Sequence, residues 1–175
     1  MDLVVLFPRS MILLNQSTNP TLSSGAPHSK GINSTFGMKS PDLRTNPWKR
    51  HKPTGYNSVS PYLIVDGADS TIGFLAEVFG ATKLRRVDNG SGKVMHAEVR
   101  VDDTVVMLTD AFPPAWPSVP SHVHVYVKDV DAAYLKAIKA GAASVQAPVK
   151  RGDENKRGAV KDSGGTTWWI STKVE

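Results

Sequence analysis

The 175-residue chain contains no cysteine. That absence removes disulfide frameworks, thiolate zinc sites, iron–sulfur clusters and thiol nucleophiles together. No apolar run approaches the roughly 20 residues of a membrane-spanning helix, so no membrane partner is expected. A secretory signal would want a basic start, and Asp2 has the wrong sign; a cytoplasmic location is the expectation. Acidic residues are scarce in residues 1–54, which hold two, Asp2 and Asp42, against seven Lys and Arg. Beyond residue 54, fourteen acids balance fourteen bases, so the formal net charge of +5 belongs to the first segment. Affinity for nucleic-acid backbones rests on clustered Lys and Arg, and the balanced remainder argues against a nucleic-acid partner. No G-x-S-x-G elbow, phosphate-binding glycine loop or H-E-x-x-H helix is present.

The chain divides at about residue 55. Residues 1–54 carry six of the twelve prolines, with Ser and Asn scattered throughout and no apolar period. They read as a flexible, disordered basic arm. Their Ser-rich, acid-poor composition weakly fits a transit peptide, but a long, dispensable leader, or an upstream extension of a chain whose own start is Met38, is the plainer reading.

Residues 55–175 are regular. Ser58–Val65 predicts a strand, and Asp69 or Ser70 caps a helix with Ile72, Leu75, Ala76 and Phe79 on its buried face and Gly80 as its stop. Strands follow over Thr82–Val87, Lys93–Val101 and Thr104–Thr109, then a proline-rich linker over Phe112–Pro120. The order then restarts. His122–Val127 predicts a strand, and Asp129 or Val130 opens a helix whose Leu135, Ile138 and Ala142 share a face. Strands Ser144–Val149, Gly158–Lys161 and Thr166–Thr172 complete the chain. Gly80-Ala81 and Gly141-Ala142 stand 61 residues apart. The chain therefore holds two tandem βαβββ units, an α+β fold.

The strings Pro61-Tyr-Leu-Ile-Val-Asp66, Phe79-Gly-Ala81, Lys93-Val-Met-His-Ala-Glu98, Val105-Val-Met-Leu108, His124-Val-Tyr-Val-Lys-Asp129 and Ala140-Gly-Ala142 carry a resemblance. They are similar to the vicinal oxygen chelate superfamily of glyoxalases, bleomycin-resistance proteins and dioxygenases, and look most like its PhnB-like branch. The resemblance covers residues 56–175. It implies a U-shaped rolled sheet with helices outside and a ligand in the trough. Strand alternation then assigns faces. Val123, Val125 and Val127 suit the helix side, leaving His122, His124 and Tyr126 for the trough. Met95, Ala97, Val99 and Val101 pack inward, leaving His96, Glu98 and Arg100 opposite.

Metal-dependent relatives take one ligand from each of four strands. Carried over, these positions fall on Ser60, Met107, His122 and Trp169, and only His122 keeps a competent side chain. The expectation is therefore no metal cofactor. The remaining ligand-binding residues are Tyr62, Ile64, His96, Met107, His122, His124, Tyr126 and Trp169, an aromatic and apolar lining with a few polar groups. One of Trp168 and Trp169 faces the core and the other the trough. The expected function is binding of a small, partly aromatic or cationic molecule, by a homodimer. The alternative is a metal-dependent lyase, isomerase or dioxygenase with an unconventional site of His96, Glu98, His122 and His124. In a metal-free enzyme, His122 or His124 would serve as acid or base.

Overall fold

The computed structural model describes residues 51–174, so the arm expected over residues 1–54 lies outside the described residues except for its last four positions. The first unit runs β1 (Tyr62–Val65), α1 (Ala68–Phe79), β2 (Thr82–Asp88), β3 (Val94–Val101) and β4 (Thr104–Asp110). The second repeats it as β5 (Ser121–Tyr126), α2 (Val130–Lys139), β6 (Ala143–Lys150), β7 (Asn155–Lys161) and β8 (Thr166–Lys173). The fold is α+β, with strand orders β1-β4-β3-β2 and β5-β8-β7-β6. Strand pairing stays within each unit, so the strands form two four-stranded sheets. Each half pairs its first strand in parallel with its last, and in matching register: Tyr62 lies opposite Met107, and His124 opposite Trp169. Among the described residues no helix is long and apolar enough to cross a membrane.

α1 starts earlier than its sequence suggests. Neither Asp69 nor Ser70 caps it; the cap position is Gly67, at φ 87°, with no side-chain bond. The capping carboxylate comes instead from the end of β4, where Asp110 Oδ1 accepts from the Ala68 amide at 2.7 Å. The other oxygen of Asp110 takes the Val94 amide at 2.7 Å, tying β3 to the same point. Gly80 stops the helix as expected, at φ 68°. In α2 the expected cap is present: Asp129 accepts from the Ala132 amide at 3.0 Å.

The helix faces differ from the expectation in an instructive way. α1 buries Ala68, Thr71, Ile72, Phe74, Leu75 and Val78, while Ala76 is exposed. The buried stripe is wider and rotated because Phe74 and Phe79 pack against Trp168 of the other unit. On α2, Leu135 is 66% exposed and Ile138 is exposed too. Val130 and Ala137 are buried instead, with Ala133, Tyr134 and Ala140 packed beside them. Small side chains let that face lie close to the sheet, which outweighs the larger apolar area of Leu135. Met95 is a third correction: it is 48% exposed while Val94 is buried. Val87 pairs with His96 but Asp88 with Val94, so Met95 is the extra residue of a bulge and leaves the alternation.

A single core joins the two units. Trp168 is fully buried, its ring 6.3 Å from Phe74 and 5.7 Å from Phe79. Its indole N–H donates to the buried Asp162 at 3.1 Å, and the same carboxylate accepts the Thr166 amide at 2.9 Å. The turn before β8 also touches the first unit: Asp66 N donates to Gly164 O at 3.3 Å. A Cβ on Gly164 would overlap Thr71 Oγ1 and sit 3.2 Å from Val65 Cβ. Gly164→Ala is therefore expected to destabilise the fold by about 1–3 kcal/mol, the usual cost of overpacking, read as a lower denaturant midpoint at unchanged slope.

Candidate functional site

The faces that turn away from this core carry the polar and aromatic groups. Pairing of Leu63 with Leu108, Ala97 with Leu108 and Val99 with Val106 puts these side chains on the core side of the first sheet. Tyr62, Ile64, His96, Glu98 and Met107 then share the opposite face. In the second sheet Val123 pairs with Trp168 and Val125 with Ile170 on the core side. His122, His124, Tyr126 and Trp169 therefore occupy the opposite face, while Trp168 turns inward.

On the first sheet one carboxylate organises the group. Glu98 is only 5% exposed; Tyr56 Oη donates to one of its oxygens, and His96 Nε2 lies 2.9 Å from the other. A carboxylate is acceptor-only, so His96 Nε2 carries a proton toward it. The Tyr62 ring stacks on His96 at 5.8 Å and 27°. The Tyr56 hydrogen bond, and after it that of His96, holds the Glu98 carboxyl below the ordinary carboxylate range. The same bond raises the Tyr56 hydroxyl. Beside this group lies an open recess of about 430 Å³ lined by Tyr56, Ser60, Arg85, Glu98 and Met107 among others. Tyr56 escaped the sequence reading because its partner is 42 positions away and no local pattern signals the pair.

The second sheet holds a different group. Trp169 Nε1–H donates to His122 Nδ1 at 3.1 Å, with the ring planes 22° apart. His124 Nε2 lies 2.9 Å from Ser171 Oγ, and its ring meets Tyr126 edge-on at 4.7 Å. Burial, and secondarily Arg157, pushes the His124 imidazole down, which keeps it uncharged near neutral pH. Tyr126 is 67% exposed, and His122 and His124 are also open to solvent. At the edge of this face a cavity of about 330 Å³ is lined by Pro61, Thr104, Val106, Val123, His124 and Tyr126.

The eight sequence-named lining residues thus fall into two groups, four on each sheet, and the hydrogen bonds and ring contacts of each stay on its own sheet. The four residues of the alternative metal site are divided the same way. His96 and Glu98 bond each other, while His122 and His124 bond Trp169 and Ser171. Among the described residues no three His, Asp or Glu side chains stand close enough to hold a metal ion. A hydroxyl at Ser60, a thioether at Met107 and an indole at Trp169 do not fit the divalent ion that the fold family uses.

The family model of the glyoxalase/bleomycin resistance protein/dioxygenase superfamily matches residues 55–170. The chain belongs to this superfamily. An uncharacterised protein of Mycobacterium tuberculosis is 34% identical over 127 residues, which are 67% of this chain and 75% of that protein. Among solved structures, TioX from Micromonospora sp. ML1 is 26% identical, with a TM-score of 0.55 over 66% of this chain and 96% of its own. TnmS3, an antibiotic binding protein from Streptomyces sp. CB03234, has the same fold at 18% identity and a TM-score of 0.52, over 67% of this chain and 99% of its own. The PhnB protein from Bacillus cereus, described as a putative 3-demethylubiquinone-9 3-methyltransferase, shares the fold at 16% identity and a TM-score of 0.53, over 66% and 99%.

Because the native Glu98 carboxyl is held low, its contribution to stability is present above the ordinary carboxylate range, near pH 4.3, and is lost as pH falls through the depressed native value. Tyr56→Phe removes the hydroxyl that contributes most to this. The variant is expected to melt below the parent at pH 7, with the gap closing below about pH 4 as the carboxylate protonates. A gap that persists unchanged at acid pH would show that the Tyr56 hydroxyl acts otherwise than through Glu98.

Proposed function

We propose that the protein binds a small, partly aromatic molecule and does so without the metal of its glyoxalase relatives, as a homodimeric member of the PhnB-like branch. The observation that carries this reading is the open group of His122, His124, Tyr126 and Trp169 on one sheet face, beside a core whose aromatic needs are already met by Trp168. Exposed aromatic rings with a few polar groups suit a ligand better than they suit solvent. Trp169 stands where metal-dependent relatives keep a ligand, which replaces chelation by ring contact. The antibiotic-binding role of TnmS3 supports a use of this fold for holding small molecules, as in sequestration or resistance. The PhnB protein of Bacillus cereus supports the branch. Strand orders that leave β1, β2, β5 and β6 at sheet edges supply a physical reason to pair with a second copy.

The metal-dependent alternative would require His96 and Glu98 to leave one another and join His122 and His124. The two readings part under a strong chelator. The melting temperature of the purified protein is expected to be the same with and without it, whereas an occupied metal site stabilises by mass action. A chelator-dependent drop that disappears in His122→Ala would establish the metal reading instead.

The two neighbouring tryptophans test the ligand face. A stacked aromatic partner contributes about 0.5–2 kcal/mol, so Trp169→Ala should weaken binding of an aromatic ligand by up to about 30-fold with little loss of stability. Trp168→Ala should cost about 3–5 kcal/mol of stability, as for other buried large aromatics. Binding is read by tryptophan emission and stability by chemical denaturation.

A further inference from the structure

The hydrogen bond between Trp169 and His122 carries information about the ligand that ring contact alone does not. An indole nitrogen donates and cannot accept. His122 Nδ1, at 3.1 Å from it, must therefore present its lone pair. A neutral imidazole with a lone pair on Nδ1 carries its proton on Nε2. The two nitrogens point to nearly opposite sides of the ring, so Nε2–H is aimed away from Trp169. β8 lies inside its sheet and β5 is the last strand on that side, so that direction leads away from β8. No protein acceptor meets Nε2–H among the described residues.

The neighbouring groups are mixed in charge: Arg157 is paired with Asp153, and Asp102 and Asp103 line the cavity that His124 and Tyr126 share. His124 is held uncharged, and Arg157, across β8 from Tyr126, contributes positive potential to it. At His122 itself a cation would meet a donor hydrogen. An acceptor would meet that hydrogen favourably.

We propose that this face selects aromatic molecules that carry a hydrogen-bond acceptor such as a pendant carbonyl oxygen, which accepts from His122 Nε2–H at the rim of the plate formed by Trp169 and His122. The inference rests on the reading of this face as a small-molecule site and narrows it, choosing acceptor-bearing aromatics over cationic ones.

Two measurements test it. The first needs no ligand: nitrogen-15 NMR of the histidine side chains at pH 7.5, with His122 assigned by His122→Phe. The expected result is Nε2 protonated and Nδ1 bare, and the reverse tautomer overturns the proposal. The second compares 2-acetylnaphthalene, 2-ethylnaphthalene and N-methylquinolinium as probes by NMR titration of the full chain. The acetyl and ethyl compounds differ by one carbonyl, and a net hydrogen bond of ordinary strength predicts about two- to tenfold tighter binding of the ketone. His122→Phe keeps a ring and removes the donor, so it should abolish the preference while both naphthalenes still bind. Equal binding of the two naphthalenes, or a preference for the quinolinium, overturns the acceptor inference and leaves the ligand face standing. Failure of all three probes to bind removes the ligand face, and the inference with it.

Discussion

Burial of Trp168 is the constraint on which the rest of the molecule depends. Its ring packs on both Phe74 and Phe79 of α1, so it fastens the second sheet to the helix of the first unit. Its one polar atom is satisfied by Asp162, which makes a fully buried indole tolerable. Asp162 is itself held by the Thr166 amide, so the turn, the strand start and the tryptophan share one buried carboxylate. Because strand side chains alternate, fixing Trp168 inward fixes Trp169 outward. The outward aromatic face of the second sheet is thus a consequence of the core.

The two units solve the same structural problem with related means. Each ends its last or second-last hairpin in a buried aspartate whose oxygens collect amides or an indole N–H from elsewhere. Asp110 takes the start of α1 and the start of β3, while Asp162 takes β8 and its tryptophan. Their outward faces have diverged. The first carries a carboxylate that engages His96 and Tyr56, whereas the second carries aromatic rings and two histidines.

The relation to the superfamily is best understood at those faces. The fold is kept across relatives of low identity, but the chemistry rests on a few side chains at defined strand positions. By resemblance to metal-dependent members, Ser60, Met107 and Trp169 fall on three of the four ligand positions. Trp169 does more than vacate its position. It fixes the neighbouring His122 through a hydrogen bond, turning a potential metal ligand into an oriented donor.

The sequence by itself determined the duplication, the element types and the division of each strand into two faces. Gly80 and Gly141, the alternation of His122–Val127 and the adjacent tryptophans are local signals, and local periodicity is what a strand or helix needs to declare itself. Three local expectations gave way to long-range contacts. α1 takes its cap from Asp110 rather than from Asp69 or Ser70, α2 buries alanines in place of Leu135 and Ile138, and a bulge turns Met95 outward. The candidate site divides along the same line. Its residue types and faces could be read from alternation. Tyr56 on Glu98, Glu98 on His96 with Tyr62 over it, and Trp169 on His122 could not, because three of those four contacts join residues more than thirty positions apart. Only the folded chain brings such partners within hydrogen-bonding distance.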